Sequence, residues 1–240
     1  MTSLWKGFLY VLGGLILIGP STTWAYDEGS VEAGATITGV VRFQGSVPQP
    51  HVVSLTKDVG VLGETVPDER LLVSRQGGIR NVVITIEGIR QGKRWPVLKQ
   101  RVAYERGRYI PHVLVARQGT KLEIENRDPI FHNTHAFRGS QPIFNLALPL
   151  SHWDGAISRT LAEEGVVKLS CNVHRWMNAW VIVLDHPYFA ITGEAGTYAI
   201  TGIPPGTYTV TAWHEKLGKK ETQLTVKAKG NSKVDFTFAP

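Results

Sequence analysis

The segment "CNVHRWM", which runs from Cys171 to Met177, places a thiol, an imidazole and a thioether at regular intervals. Cys171 is the only cysteine in the chain, and Met177 is one of two methionines, the other being residue 1. Cysteine, histidine and a weakly bound methionine form the ligand set of copper sites that transfer electrons. Methionine is not a usual zinc ligand. We therefore interpret Cys171, His174 and Met177 as copper ligands supplied by one short loop.

A further ligand must come from elsewhere, and "NRDPIFHNTH" supplies two candidate histidines. His132 is followed directly by Asn133 and lies at the end of a predicted strand, which favours it as the upstream ligand. His135 is the alternative: it would replace His132, lie in the outer shell of the site or be solvated. Four of the remaining histidines are interpreted as turn or packing residues, with a second copper site as the alternative: His112, His152, His186 and His214.

The first 25 residues are typical of an export signal. Lys6 precedes the apolar run "GFLYVLGGLILIG", and "STTWA" offers small residues before a cut after Ala25. The run is shorter than the roughly 20 apolar residues of a membrane span, although an uncleaved anchor is the alternative. We expect a periplasmic or secreted protein. In such a compartment a lone cysteine needs burial or a metal that holds its sulfur.

The formal charge of +6 falls to +5 when Lys6 leaves with the signal. The basic residues are scattered rather than clustered, which argues against a nucleic-acid partner. The excess suits weak docking on an acidic redox partner, such as a cytochrome or a dehydrogenase. An ordinary basic surface is the alternative. Contact with a membrane is expected only if the signal segment is retained.

Short β-rich runs separated by Gly and Pro predict an all-β protein of sandwich type. The runs are "ATITGVVRFQG", "NVVITIEG", "HVLVARQGTKLEIEN", "GVVKLSC", "AWVIVLDHP", "GTYAITGIPPGTYTVTAWHE" and "ETQLTVKAKGNSKVDFTF". We interpret the last two as hairpins, the first of them turning at Pro204, Pro205 and Gly206. The less regular stretch from Asn145 to Glu164 is expected to carry a short helix or a long loop.

From about Tyr109 to Asp185 the chain resembles a cupredoxin, a Greek-key β-sandwich that binds copper. "YIPHVLVARQGTKLEIENRDPIFHN" resembles the family's opening strands and first ligand, and "CNVHRWM" resembles the short ligand loop of the amicyanin type. The resemblance implies one type 1 (blue) copper per chain, with Asn133 joining the two ligand loops by hydrogen bonds. It also implies transfer of single electrons through the edge of His174. The implied ligands are His132, Cys171, His174 and Met177.

The segments "DHPYFAIT" and "PPGTYTVTAWHEKLG" resemble periplasmic proteins labelled methylamine-utilisation or plastocyanin-like. This resemblance implies two further cysteines near the positions of Leu62 and Gly107, so that a disulfide has been lost as a pair here. "GEAGTYAITGIPPGTYTVTAWHEKLGKKETQLTV" resembles the carboxypeptidase regulatory-like, or carbohydrate-binding-like, fold. The strands before residue 88 resemble the opening of that same fold. We therefore expect a discontinuous domain with the cupredoxin inserted, or else strands that belong to the cupredoxin sheet.

The domains predicted from these features are a signal peptide (1–25), an N-terminal β region (26–95), a cupredoxin domain (96–187) and a regulatory-like domain (188–240). We expect an electron carrier and not an enzyme. A nitrite reductase would need a second copper and usually a second cupredoxin domain, and a binuclear copper site needs two cysteines. The alternatives are a copper carrier or scavenger, and a carbohydrate-binding or interaction protein with a vestigial site. Trp176 and Trp180 are interpreted as a docking rim or as ordinary packing.

The ligand assignment is tested with copper-loaded variants. Cys171→Ser should abolish the intense visible colour, because only a thiolate gives the sulfur-to-copper transition. His132→Ala should disturb the visible spectrum more than His135→Ala. Bleaching by His135→Ala together with an intact spectrum in His132→Ala would reverse the assignment of the upstream ligand.

Overall fold

The computed structural model describes residues 26–148 and 156–240. The predicted signal peptide, His152 and Trp153 lie outside the described residues. Within the described part the regular structure is almost entirely β, as the sequence predicts, and the one short helix lies where the sequence did not predict it. No helix in this part is both long enough and apolar enough to cross a membrane.

The described residues form the helix α1 (Val59–Leu62) and a series of mostly short strands. In chain order the strands are β1 (Asp27–Glu28), β2 (Ala35–Phe43), β3 (Val52–Ser54), β4 (Thr65–Pro67), β5 (Val83–Glu87), β6 (Gln91–Gly92), β7 (Arg101–Glu105), β8 (Arg108–Ile110), β9 (Val113–Arg117), β10 (Lys121–Asn126), β11 (His132–Arg138), β12 (Gln141–Leu148), β13 (Ile157–Thr160), β14 (Gly165–Ser170), β15 (Asn178–Leu184), β16 (Phe189–Ile191), β17 (Thr197–Ile203), β18 (Gly206–His214), β19 (Gly218–Val226), β20 (Asn231–Lys233) and β21 (Phe236–Phe238).

The first sandwich contains the predicted ligands. One sheet has the strand order β13-β10-β7-β8 and the other has the order β12-β11-β14-β15-β9. Alternate residues of both sheets point inward and share one apolar core, which includes Tyr104, Ile124, Leu169 and Val181. Cys171 and Met177 are buried in the same core.

The second sandwich is built from both ends of the chain. One sheet has the order β16-β5-β18-β19, and the other has the order β17-β2-β20, with β21 also paired to β2. The early strands β2 and β5 therefore lie between later strands and complete a core that includes Ile37, Ile84, Val210 and Phe238. Two β-sandwiches are present, as predicted, and the second is discontinuous in sequence. The residue limits predicted for the domains remain predictions.

Two predicted hairpins are wrong. The strands β17 and β18, joined at Pro204 and Pro205, belong to opposite sheets, and so do β19 and the pair β20 and β21. Each connection crosses from one sheet of the sandwich to the other. Alternation of apolar and polar residues is the same for a hairpin and for such a crossing, so the sequence pattern does not separate them. The stretch after Asn145 continues β12 and later forms β13, with no helix in its described part.

The two sandwiches stack face to face. Along β15, Ala179, Val181 and Val183 face the first core. Trp180 and Ile182 face the opposite way, into an apolar layer that also contains Val83 and Trp213 of the second sandwich. Because both faces of β15 are covered, its sequence "AWVIVL" is apolar throughout. A buried ion pair between His112 and Glu215 also joins the two sandwiches.

We predict that the fragment from His186 to Pro240 does not fold cooperatively. It lacks β2 and β5, each of which has a paired strand on both sides, so sheet edges and apolar core would be exposed. Circular dichroism and a thermal melt measure the outcome. A soluble fragment with a cooperative transition would contradict the prediction.

A matched control joins residues 26–94 to residues 186–240 through a flexible linker. The two ends to be joined lie together, because the neighbouring Trp95 Nε1 donates a hydrogen bond to the Asp185 carbonyl at 2.8 Å. This fragment contains all strands of the second sandwich. It should fold cooperatively where the shorter fragment does not.

Candidate metal centre

Three donor atoms from distant parts of the sequence meet inside the first sandwich. Cys171 Sγ lies 3.9 Å from His132 Nδ1 and 3.7 Å from His174 Nδ1. The two Nδ1 atoms are 3.0 Å apart. All three side chains are buried. Among the described residues, His132, Cys171 and His174 are the cluster of potential ligands that could hold one metal ion.

These distances and donor types fit a metal ion. Metal–nitrogen bonds of about 2.0 Å and a metal–sulfur bond of about 2.3 Å place three donors in a trigonal plane roughly 3.5 to 3.7 Å apart. The two sulfur–nitrogen separations are close to this value. The two nitrogens are somewhat closer together, so an ion between them would move them slightly apart. Two imidazoles and one thiolate are donors that suit copper.

His132 and Cys171 lie close together because the strands β11 and β14 are paired neighbours. His132 is the first residue of β11, and Cys171 directly follows β14. A tight loop then turns back: Met177 N donates to the His174 carbonyl at 2.9 Å, and Cys171 N donates to the Met177 carbonyl at 3.3 Å. The loop ends where β15 begins, directly after Met177. The short spacing of "CNVHRWM" thus brings three of the predicted ligands together in one tight turn.

Asn133 connects the two ligand segments. Its Oδ1 accepts a hydrogen bond from Asn172 N at 2.8 Å and lies 3.4 Å from Cys171 Sγ. Its Nδ2 donates to Asn145 Oδ1 on the neighbouring strand β12. Asn133 therefore holds the β11 end against the cysteine loop. Outer contacts of this kind orient metal ligands.

His135 lies apart from the three donor atoms. It is three residues after His132 in the same strand, and successive side chains of a strand point to opposite faces. Its Nδ1 is 3.2 Å from Asn172 Oδ1, and its ring packs on Phe137. The geometry favours His132 over His135 as the upstream ligand, and the ligand set stays a prediction. His112, His186 and His214 are buried outside this group.

Each histidine also meets a carboxylate at its other ring nitrogen. His132 Nε2 is 3.0 Å from Asp128 Oδ2, and His174 Nε2 is 2.7 Å from Asp58 Oδ2. A carboxylate at Nε2 fixes the proton there and leaves Nδ1 free to bind a metal. Neither carboxylate is predicted from the sequence. Asp128 lies four positions before His132 in "NRDPIFH" and could have been noticed, whereas nothing local marks Asp58.

The same contacts shift the ionisation of these groups. Burial alone would raise the pKa of the Cys171 thiol, but hydrogen bonds from His132, His174 and nearby backbone bring that pKa down to about 6. Burial acts to lower the pKa of His132, yet Asp128 and Cys171 hold it above its ordinary value. Burial acts to raise the pKa of Asp128, and its hydrogen bonds from His132, Gly107 and Arg106 hold it below the ordinary value.

Asp58 belongs to a segment that covers the site. The strands β3 and β4 pair antiparallel, and α1 lies between them. Asp58 occupies the position before α1, where an Asp side chain often accepts hydrogen bonds from the helix's own N–H groups, but here the side chain makes no such bond. Its carboxylate binds His174 instead, from a backbone conformation with φ of 54°.

Leu62 of the covering segment lies close to Gly107, in the turn between β7 and β8. A Cβ atom at Gly107 would lie 3.0 Å from Leu62 Cδ1 and 3.6 Å from Trp176 Nε1. The positions of Leu62 and Gly107, where the family resemblance implies a disulfide, are therefore in contact.

The expected transfer of electrons directly through the edge of His174 needs correction. His174 has 0% of its surface exposed, and Asp58 covers the ring nitrogen that would face a partner. The sequence could not show this, because the covering residue precedes His174 by 116 positions. Any route between the centre and the surface must pass another side chain.

A family model matches the later part of the chain. This model, described as a carboxypeptidase regulatory-like domain, matches residues 173–239. The match begins inside the ligand loop, although β15 pairs with β14 and β9 in the first sandwich. The chain is also similar to solved cupredoxins. A search of curated protein sequences found no match.

Three of the similar structures are, by name, a cupredoxin, an amicyanin and a copper-containing nitrite reductase. A novel purple cupredoxin from Nitrosopumilus maritimus is 25% identical over 35% of this chain and 98% of its own, with a TM-score of 0.30. A reduced amicyanin variant is 21% identical over 42% of this chain and 98% of its own, with a TM-score of 0.32. The copper-containing nitrite reductase of Thermus scotoductus SA-01 is 20% identical over 38% of this chain and 24% of its own, with a TM-score of 0.32. None of these names concerns methylamine utilisation, so that resemblance remains a prediction.

We predict that the thiol of metal-free protein ionises near pH 6. The measurement is a pH titration of the thiolate absorbance in the ultraviolet. As the pH rises through about 6 the thiol should lose its proton, well below the ordinary cysteine value of about 8.5. His132→Ala should move the midpoint upward, while His135→Ala serves as the matched control and should leave it unchanged. A midpoint at the ordinary value in the unaltered protein would contradict the hydrogen-bond geometry.

Proposed function

We propose that the protein binds one type 1 copper ion and carries single electrons. The observation that supports this most directly is the convergence of Cys171 Sγ, His132 Nδ1 and His174 Nδ1 within 4 Å of one another in a buried site. Met177, which is buried in the same core as Cys171, would be the weak fourth ligand. Copper bound there would supply one-electron chemistry.

The surroundings of the site favour a carrier that keeps its metal. Asn133, Asp128 and Asp58 hold the ligand side chains from outside, and the ligands themselves are closed off from solvent. A fixed ligand geometry changes little between two oxidation states, which assists electron transfer. Delivery of the metal to another protein would instead require ligands that open readily to an incoming donor. The delivery function is therefore the second candidate, and the experiment below separates the two.

The space beside the centre favours a carrier over an enzyme. A cleft next to Met177 and Trp176 has a volume of about 170 Å³. Sites that bind small-molecule substrates usually have volumes of roughly 300 to 1,000 Å³. We therefore propose that this cleft does not bind a substrate and that the centre exchanges only electrons with other molecules.

The cellular setting is part of the proposal. The apolar N-terminal run of the sequence supports export to the periplasm or the outside of the cell. The net positive charge of the chain supports an acidic redox protein as partner. The second sandwich is proposed to be a structural or docking module, and a sugar-binding role for it remains the alternative.

Copper loading and redox cycling test the function. The loaded protein should show intense visible absorption and a one-copper paramagnetic signal, and it should be oxidised and reduced reversibly many times. Copper should remain bound in both states beside a competing chelator, because the ligands are buried. Cys171→Ser is the control and should show neither the colour nor the cycling. Prompt loss of copper(I) to the chelator with little electron exchange would favour copper delivery.

A further inference from the structure

The geometry around His174 raises the question of where electrons enter and leave, and the answer rests on the proposed function. His174 and His132 are both fully buried, and each has its outer ring nitrogen bound to a carboxylate. A partner protein therefore cannot contact either imidazole directly. Since electron tunnelling slows steeply with distance, a side chain that bridges the buried centre and the surface would set the route.

Trp176 is such a side chain. Its ring lies 5.1 Å from the ring of His174, measured between centroids. The aromatic neighbour of His132 is Tyr104, which is itself fully buried. Trp176 is only partly buried and lines the cleft beside Met177. A hydrogen bond of 3.0 Å from its Nε1 to the Gly107 carbonyl fixes the orientation of the indole. Trp176 thus connects a ligand ring to the protein surface through adjacent aromatic rings.

The charge next to Trp176 favours an acidic partner. Arg175 is exposed and forms no ion pair with any of the described residues. The other two arginines of the cleft are balanced: Arg70 pairs with Asp68 at 2.6 Å, and Arg108 pairs with Glu69 at 3.4 Å. These pairs leave the positive charge of Arg175 available.

We infer that the surface formed by Arg175 and Trp176, named here the exchange surface, is where redox partners dock. The partner it fits is a one-electron redox protein with an acidic face. With copper held by the predicted ligands, one electron would pass by way of His174 and Trp176 to an oxidised partner, which would be reduced by that electron. No bond forms or breaks. The position of Arg175 between His174 and Trp176 in sequence places its charge next to the route.

A second surface offers a competing route. Asn172 follows Cys171, is exposed and contacts His135. Electrons could pass from the cysteine along the backbone to this side of the molecule. The exchange surface is favoured because it joins an aromatic contact to an unpaired charge. The Asn172 side has no ring contact with a ligand among the described residues.

Stopped-flow oxidation of the copper-loaded, reduced protein tests the inference. The oxidants are hexacyanoferrate(III), which is anionic, a cationic cobalt(III) complex, and an acidic haem protein in its ferric form. Arg175→Glu should slow oxidation by the anion and by the acidic protein by about tenfold at low ionic strength, and it should speed oxidation by the cation. Trp176→Leu should slow oxidation by all three several-fold, whereas Trp176→Phe, which keeps a ring, should retain most of the rate.

Matched variants separate the explanations. Arg159→Glu changes the same charge at an exposed position on β13 and should leave the rates unchanged. Visible spectra and reduction potentials are measured for every variant, because they show whether a slower rate comes from an altered metal centre. Wild-type rates in both Arg175→Glu and Trp176→Leu, or a larger loss in Asn172→Glu, would overturn the inference. Failure of the unaltered protein to exchange electrons with any oxidant would instead contradict the proposed function.

Discussion

The structure depends on one constraint: a thiol and two imidazoles must lie within 4 Å of each other inside an apolar core. Polar groups buried in this way are costly unless they are hydrogen-bonded. Here each imidazole has a carboxylate at its outer nitrogen, and the sulfur lies beside both rings and Asn133. The hydrogen bonds that satisfy the ligands are therefore the same ones that orient them. The same contacts lower the pKa of the Cys171 thiol, and a thiol must lose its proton to bind a metal.

The two carboxylates have different consequences because they come from different kinds of structure. Asp128 lies in the turn before β11, is buried and accepts backbone N–H groups of Arg106 and Gly107 at 2.6 and 2.9 Å. It is part of the rigid sandwich. Asp58 lies on the covering segment, whose short helix presents the exposed side chains of Val59 and Val61 to solvent. The contact with His174 thus closes the site with a segment that has few buried side chains of its own.

The sequence predicts the centre better than its surroundings. The spacing of "CNVHRWM" reflects a local turn, and alternation along β11 separates His132 from His135, so these features can be derived from short-range pattern. Asp58 could not be predicted, because it contacts His174, which lies 116 positions later in the chain. The spacing of residues within a strand or a turn gives no information about so distant a contact. The error about the His174 edge follows from that omission. The error about the hairpins has another cause, since the alternation of a strand does not say which sheet its neighbour joins.

The stacking of the sandwiches connects the second domain to the centre. Met177 directly precedes β15, and β15 packs its outward side chains Trp180 and Ile182 against Val83 and Trp213 of the second sandwich. The hydrogen bond from Trp180 N to the His112 carbonyl joins this strand to the residue that pairs with Glu215. An isolated cupredoxin-like sheet would expose this apolar face to water. The second sandwich therefore stabilises the strand that carries the end of the ligand loop, which is a physical reason for the two folds to occur in one chain.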